Sequence, residues 1–221
     1  MLRSALMLIT ALSFAGCWSD ETVVFPPGLE PASAVNRATF PAADATGPYP
    51  ERLDVVLTDE SDQPNDPPSV HGKGYVLAPL ATVWMALRNP DVCADRHAFS
   101  AYTVRQNTEP MYDFSYAIDA TVTNIITFMY TTSFRHGVLE GTVDDPTAIV
   151  EVWQKTDGST IIGSLHGSVI ARAVTPAVTS LEMIQWSHTA MSNHADNERY
   201  LREVFDATVA LSHGRPLPPP P

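Results

Sequence analysis

The chain is poor in cysteine, in positive charge and in long apolar runs. Only Cys17 and Cys93 occur among its 221 residues. Lysine and arginine total 13 against 25 aspartates and glutamates, a net charge of -12. No basic cluster stands anywhere, and an acidic surface repels phosphates, so nucleic acid is excluded as a partner. No segment beyond the N-terminus is long and apolar enough to span a bilayer. Signatures of chemistry are also missing. His71, His97, His136, His166, His188, His194 and His213 are scattered, with neither His-x-His nor His-Glu-x-x-His spacing, so no metal is expected. Gly72-Lys73-Gly74 lacks the spacing of a phosphate loop. His166-Gly167-Ser168 is not the Gly-x-Ser-x-Gly elbow of a hydrolase; Gly158, Gly163 and Gly167 read as turn and bulge glycines. No cofactor is implied.

What the chain does have begins at its N-terminus. Arg3 precedes an apolar run over residues 5–15, the length of a signal-peptide core. The run ends in Ser13-Phe14-Ala15-Gly16-Cys17, which resembles the lipobox cut by the lipoprotein signal peptidase. That resemblance implies a signal peptide over residues 1–16 and a diacylglycerol on Cys17, anchoring the chain in a bacterial envelope membrane. An ordinary secretory signal with an incidental Cys17 is the alternative. Trp18-Ser19 lack the aspartate that retains some lipoproteins at the inner membrane, which points to the outer one. Removing residues 1–16 takes away Arg3 alone, leaving a charge of -13. With Cys17 acylated, Cys93 has no disulfide partner and is expected to be buried as a small apolar residue. Asp91 and Asp95 flank it and oppose a reactive thiolate.

Residues 17–70 hold nine of the 19 prolines and ten acids against two bases, Arg37 and Arg52. Such a composition buries too little surface to offset chain entropy, so an extended tether is expected. Leu53-Asp54-Val55-Val56-Leu57 could still add an edge strand. Residues 215–221 are a proline-rich tail.

Residues 71–214 amount to one domain. Residues 73–78 read as a strand. Pro79 suits a first helical turn, Leu80, Val83, Trp84 and Leu87 recur at helical spacing, and Asn89-Pro90 stops the helix. A series of strands follows. Residues 99–107 are the first. Phe114, Tyr116 and Ile118 alternate with Asp113, Ser115 and Asp119 in the next. Over 124–138, Ile126, Phe128, Tyr130, Phe134 and His136 share a side. Over 148–155, Val150 and Val152 stand opposite Glu151 and Lys155. Thr156-Asp157-Gly158 is a hairpin turn signal. Ile161, Leu165, Val169 and Ala171 stand against Ser164, His166, Ser168 and Arg172 over 161–173. Residues 179–190 form a last strand whose faces are both mixed. A helix of about 17 residues closes the chain, with Ser192, Asn193 or Asp196 as its cap and Leu201, Val204, Phe205, Thr208 and Leu211 as its apolar stripe. The short connections favour an antiparallel meander. The fold class expected is α+β: a curved antiparallel sheet of about seven strands around a long C-terminal helix.

One stretch adds to this. Tyr75-Val76-Leu77-Ala78-Pro79-Leu80-Ala81-Thr82-Val83-Trp84, closed by Leu87 and Asn89-Pro90, resembles the opening of the START-like, or SRPBCC, superfamily of polyketide cyclase-like and lipid-transfer proteins. That family opens with a strand, Ala-Pro, a Val-Trp pair in the first helix and a polar-Pro step. Together with the element order, the resemblance covers residues 71–212. It implies a helix-grip fold with an apolar cavity between sheet and helix, holding a lipid, sterol, polyketide or other hydrophobic molecule. A second small helix, often found in the family, would here be at most one turn, because residues 91–98 are few. No catalytic motif is common to the family, so no catalytic residue carries over.

The ligand-binding residues expected are Phe114, Tyr116, Phe128, Tyr130, Phe134 and His136 on the sheet, faced by Leu201, Val204, Phe205 and Thr208 on the helix. His136 is the one histidine on a clearly apolar strand face, suited to orienting a ligand or to acid-base work. Three functions are open: a monomeric envelope lipoprotein that binds or carries a hydrophobic small molecule, a cyclase- or hydratase-type enzyme using a cavity histidine or tyrosine, and a structural lipoprotein with a filled core.

Overall fold

The computed structural model describes residues 24–58, 69–189 and 194–219. The signal peptide expected over residues 1–16, Cys17, Ser192 and Asn193 lie outside the described residues. The elements run β1 (Leu53–Thr58), β2 (Ser69–Val76), α1 (Leu80–Leu87), α2 (Pro90–Cys93), β3 (Ala101–Gln106), β4 (Phe114–Thr123), β5 (Thr127–Gly141), β6 (Pro146–Gly158), β7 (Ile162–Thr175), β8 (Val178–Thr189) and α3 (His194–Ser212). All eight strands form one antiparallel sheet in the order β1-β2-β8-β7-β6-β5-β4-β3. One face of this sheet holds α3 and α1, the helix-grip arrangement.

The local chemistry explains the start of the domain. Pro79 begins α1, where its missing N–H costs no helical bond. Leu80, Val83, Trp84 and Leu87 are all buried along one stripe. The Asn89 side chain accepts from Asp91 N and caps α2, which has Pro90 at its first position and lasts a single turn.

Antiparallel register lines up side chains across the inner face. One row is Gly72, Met183, Val169, Glu151, His136 and Phe114; the next is Val70, Gln185, Gly167, Trp153, Phe134 and Tyr116. α3 lies over β1, β2, β8 and α1, with Leu201, Val204, Phe205 and Thr208 buried. Gly74 makes room for it: a Cβ there would stand 2.9 Å from Phe205 Cε2. The expectation that α3 faces the β4 and β5 aromatics is therefore corrected. Those rings pack on one another and on β6, with Tyr116 and Phe134 stacked at 4.6 Å and Phe134 beside Trp153 at 6.3 Å.

The eighth strand is β1, so Leu53-Asp54-Val55-Val56-Leu57 joins the sheet. The tether expected over residues 17–70 is corrected for residues 24–58, which pack on the domain. Leu29 is buried on the outer face against Val150 and Val152, and its side chain fills the space a Cβ on Gly137 would take. Asn36 Nδ2 donates to the carbonyls of Gly72 and Met183, both at 3.1 Å, and Arg37 N donates to His71 Nδ1 at 2.9 Å. An average over 54 positions dilutes the few apolar residues, Phe25, Leu29, Leu53 and Val55, that carry this packing.

This N-terminal strap, residues 24–58, has a second effect. Ala148 to Trp153 on β6 are buried without a break, because α1 covers one face and residues 25–36 help cover the other. Glu151, set opposite Val150 and Val152 as on a half-buried strand, is thus wholly inside, facing the helices rather than solvent.

Candidate functional site

A cavity of about 370 Å³ opens beside the first turns of α3, between that helix and strands β4 to β8. Phe128, Tyr130 and Phe134 of β5 form one wall, and Ile162 and Leu165 of β7 another. Phe99 closes a side from the segment after α2, edge-on to Tyr130 at 5.9 Å. Trp153 contributes the indole at its base, and Cys93 also borders it.

The position of Trp153 follows from Gly167, its cross-strand neighbour. A Cβ on Gly167 would collide with the indole ring, so only glycine lets that ring lie flat across β7. The indole Nε1 then reaches β8 and donates to Gln185 Oε1 at 2.8 Å. Gly167 is therefore no bulge glycine; the register runs through it unbroken, whereas Gly163 sits at a register shift and Gly158 has φ +97 at the hairpin.

The polar part of the lining is small. Gln185 and Ser187 come from β8, Thr132 from β5 and Asn197 from α3, with the Ser187 hydroxyl donating to Asn197 Oδ1 at 2.8 Å. Arg199 at the edge binds Asp95 through two bonds of 3.1 Å and Glu203 through one of 2.9 Å. These ion pairs hold the guanidinium pKa above its usual range against the opposing effect of burial. Tyr200 donates to the Cys93 carbonyl at 2.9 Å, tying α3 to α2.

The expected residues divide into two groups. Phe128, Tyr130 and Phe134 line the cavity. Phe114, Tyr116, His136, Leu201, Val204, Phe205 and Thr208 do not; they belong to packing outside it. Sequence reading missed Gln185, Trp153, Gly167 and Asn197. A mixed strand pattern on β8 gave no inward face from which Gln185 could be singled out.

Deeper in the core lies a polar cluster. His136 and Glu151 are register partners on β5 and β6, with His136 Nε2 3.6 Å from Glu151 Oε1. Cys93 Sγ donates to the same carboxyl oxygen at 3.2 Å. Glu151 Oε2, both His136 ring nitrogens and the Tyr116 hydroxyl are buried with no hydrogen-bond partner among the described residues. Burial pushes the Glu151 pKa up to about 8. Burial, with the nearby Arg88 charge, pushes His136 down to about 3. Burial and then Glu151 push the Cys93 thiol well above its ordinary value. All three are therefore held chiefly uncharged at neutral pH. An unionised thiol is a poor nucleophile, and His136 borders no part of the cavity. Among the described residues, no group of three His, Cys, Asp or Glu side chains is placed to hold a metal ion.

No protein-family model matches the chain, and no curated protein sequence matches it. Solved structures do align with it. The di-domain aromatase/cyclase StfQ from the steffimycin biosynthetic pathway aligns over 65% of this chain at 13% identity, with a TM-score of 0.47. This chain spans 45% of the length of that protein. A STAR-related lipid transfer protein from Xanthomonas axonopodis aligns over 75% of this chain and 93% of its own, at 12% identity and a TM-score of 0.47. Human StAR-related lipid transfer protein 5 aligns over 75% and 82%, at 10% identity and a TM-score of 0.48. Among the described residues the fold is helix-grip: one antiparallel sheet of eight strands holding a C-terminal helix.

Proposed function

We propose that this protein is an envelope lipoprotein that binds and carries a hydrophobic small molecule in the cavity beside α3. The observation that carries the reading is the cavity itself: about 370 Å³, walled by Phe99, Phe128, Tyr130, Phe134, Ile162 and Leu165, with a few polar groups at one part of the lining. That is the size and chemistry of a small-molecule site. Carriage is favoured over catalysis because the walls are mostly apolar and the buried Cys93–His136–Glu151 cluster presents no ionised nucleophile to the cavity. Cys93 is held as a thiol, and His136 lies elsewhere.

Native mass spectrometry of the mature protein is expected to show a co-purifying small molecule, and the stripped protein should take up the neutral dye Nile red saturably. Bare protein that binds no Nile red would overturn the carrier reading. The anchor is tested separately. Palmitate should label the wild type and not Cys17→Ser; equal labelling of both would remove Cys17 as the attachment site.

A further inference from the structure

We propose that the cavity selects an uncharged ligand bearing a carbonyl-type oxygen, and that this oxygen seats on the side-chain amide of Gln185. The proposal rests on the cavity being the ligand site and names what that site prefers.

Gln185 is 2% exposed and lies in the middle of the inner face. Amide oxygen and nitrogen are often interchangeable, but here one neighbour fixes them. An indole N–H can only donate, so the atom bonded to Trp153 Nε1 at 2.8 Å must be the oxygen. The nitrogen then carries two hydrogens with no acceptor among the described residues. It is absent from the sealed, unpartnered atoms of the core, while Gln185 borders the cavity, so the nitrogen meets the cavity space. An apolar chamber with a fixed pair of donors favours a ligand that brings an acceptor. Asn197 adds a second amide to the lining, with its oxygen placed to accept the Ser187 hydroxyl at 2.8 Å.

Charge rules out the most obvious alternative acceptor, a carboxylate. Arg199 is the only lysine or arginine in the lining among the described residues. It is already bound by Asp95 and Glu203. Asp95 and Asp196 also border the cavity. Arg199 keeps only its Nε unpartnered, and two carboxylates against one guanidinium leave an anionic head to bury its charge in a net negative lining. A ketone, quinone or ester oxygen on an aromatic or alicyclic body suits both the donors and the walls.

Three probes share one tricyclic body and differ at a single carbon: fluorene, fluorenone and fluorene-9-carboxylate. Calorimetric titration of the mature protein, stripped of any bound molecule, should rank fluorenone first, roughly tenfold tighter than fluorene, the effect of one well-placed buried hydrogen bond. The carboxylate should bind weakest. Gln185→Met, which keeps the bulk and removes the donors, should abolish the preference for fluorenone while retaining fluorene. The ranking is measured on the wild type, so it stands even where the variant fails to fold. Equal affinity for fluorene and fluorenone overturns the role of Gln185 and leaves the cavity reading intact. Tightest binding of the carboxylate overturns the uncharged-ligand assignment. Binding of none of the three overturns the cavity reading and this proposal with it.

Discussion

Phe205→Ala is expected to destabilise the protein by about 3–5 kcal/mol, the full cost of truncating a large side chain in a solid core. Phe205 is 3% exposed, sits on the buried stripe of α3 and reaches across to the backbone at Gly74. It lines no part of the cavity, so its removal leaves a new void instead of widening an existing one. The seat on Gly74 also limits relaxation, because α3 already lies close against β2 there. Urea denaturation of wild type and variant gives the cost directly, and the variant should still bind Nile red with little change. A loss under about 1 kcal/mol would mean that α3 is only loosely gripped. Phe128→Ala provides the contrast. That ring is half-buried and borders the cavity, so the same truncation should cost less and should change dye binding.

The second large effect is a dependence of stability on pH. In the unfolded chain Glu151 titrates near its ordinary value of 4.5, and in the folded protein near 8. Below pH 4.5 both states hold the proton and nothing is lost. From there to about pH 8 the unfolded state alone releases it, so stability falls with rising pH, by about 1.4 kcal/mol per unit. His136 acts in the opposite sense. Its pKa drops from 6.5 to about 3 on folding, so stability falls as pH is lowered through that window. Between 4.5 and 6.5 the two slopes cancel, leaving a plateau with a decline on each side.

Other carboxylates also titrate, so the informative quantity is the stability of wild type minus that of Glu151→Gln, measured by denaturation at stepped pH. It should decrease steadily from pH 4.5 to 8, by several kcal/mol in total. A flat difference would show that Glu151 ionises freely in the folded state. A rising one would show that Glu151 and His136 stand as a buried ion pair. Cys93, His136 and Tyr116 are the groups that meet the carboxyl, and none carries a positive charge at neutral pH to hold it ionised.

Much of the architecture was legible in the sequence. Pro79 and Asn89-Pro90 bracket α1 as their chemistry requires, and Phe114, Tyr116 and Ile118 share one face of β4, where Ser115 and Ala117 on the other face are buried as well. Leu201, Val204, Phe205 and Thr208 of the α3 stripe are buried as read, and Leu211 is partly buried. What escaped reading has separate causes. Period-two reasoning assumes one wet face, and the strap makes both faces of β6 dry. The parity of Glu151 was visible, but not that its side is the inner one. Gln185 escaped because β8 carries polar side chains inside and out, with Glu182 bound to Lys73 and Trp186 against His166 on the outer face. The site was harder still. Phe128, Tyr130 and Phe134 could be found as an apolar face, but the cavity also needs Trp153 lying over Gly167, a contact between strands that no single run of residues encodes.

The strand order sets a schedule for folding. β3 to β8 form a meander in which each strand pairs with the one just before it, so this part can assemble through short loops. β2 is different: its inner neighbour is β8, and Gly74 must find Leu181. The β1–β2 hairpin thus has no sheet to join until the last strand is in place, and α3, which lies on β1, β2 and β8 together, has no complete seat before then. Closing so long a loop is the slow kind of step. Until it happens, β8 presents an unpaired edge, and a hydrophobic strand waiting at an open edge is the state most exposed to wrong partners. A shortage of late-arriving C-terminal residues, more than any single core substitution, would leave this protein caught there.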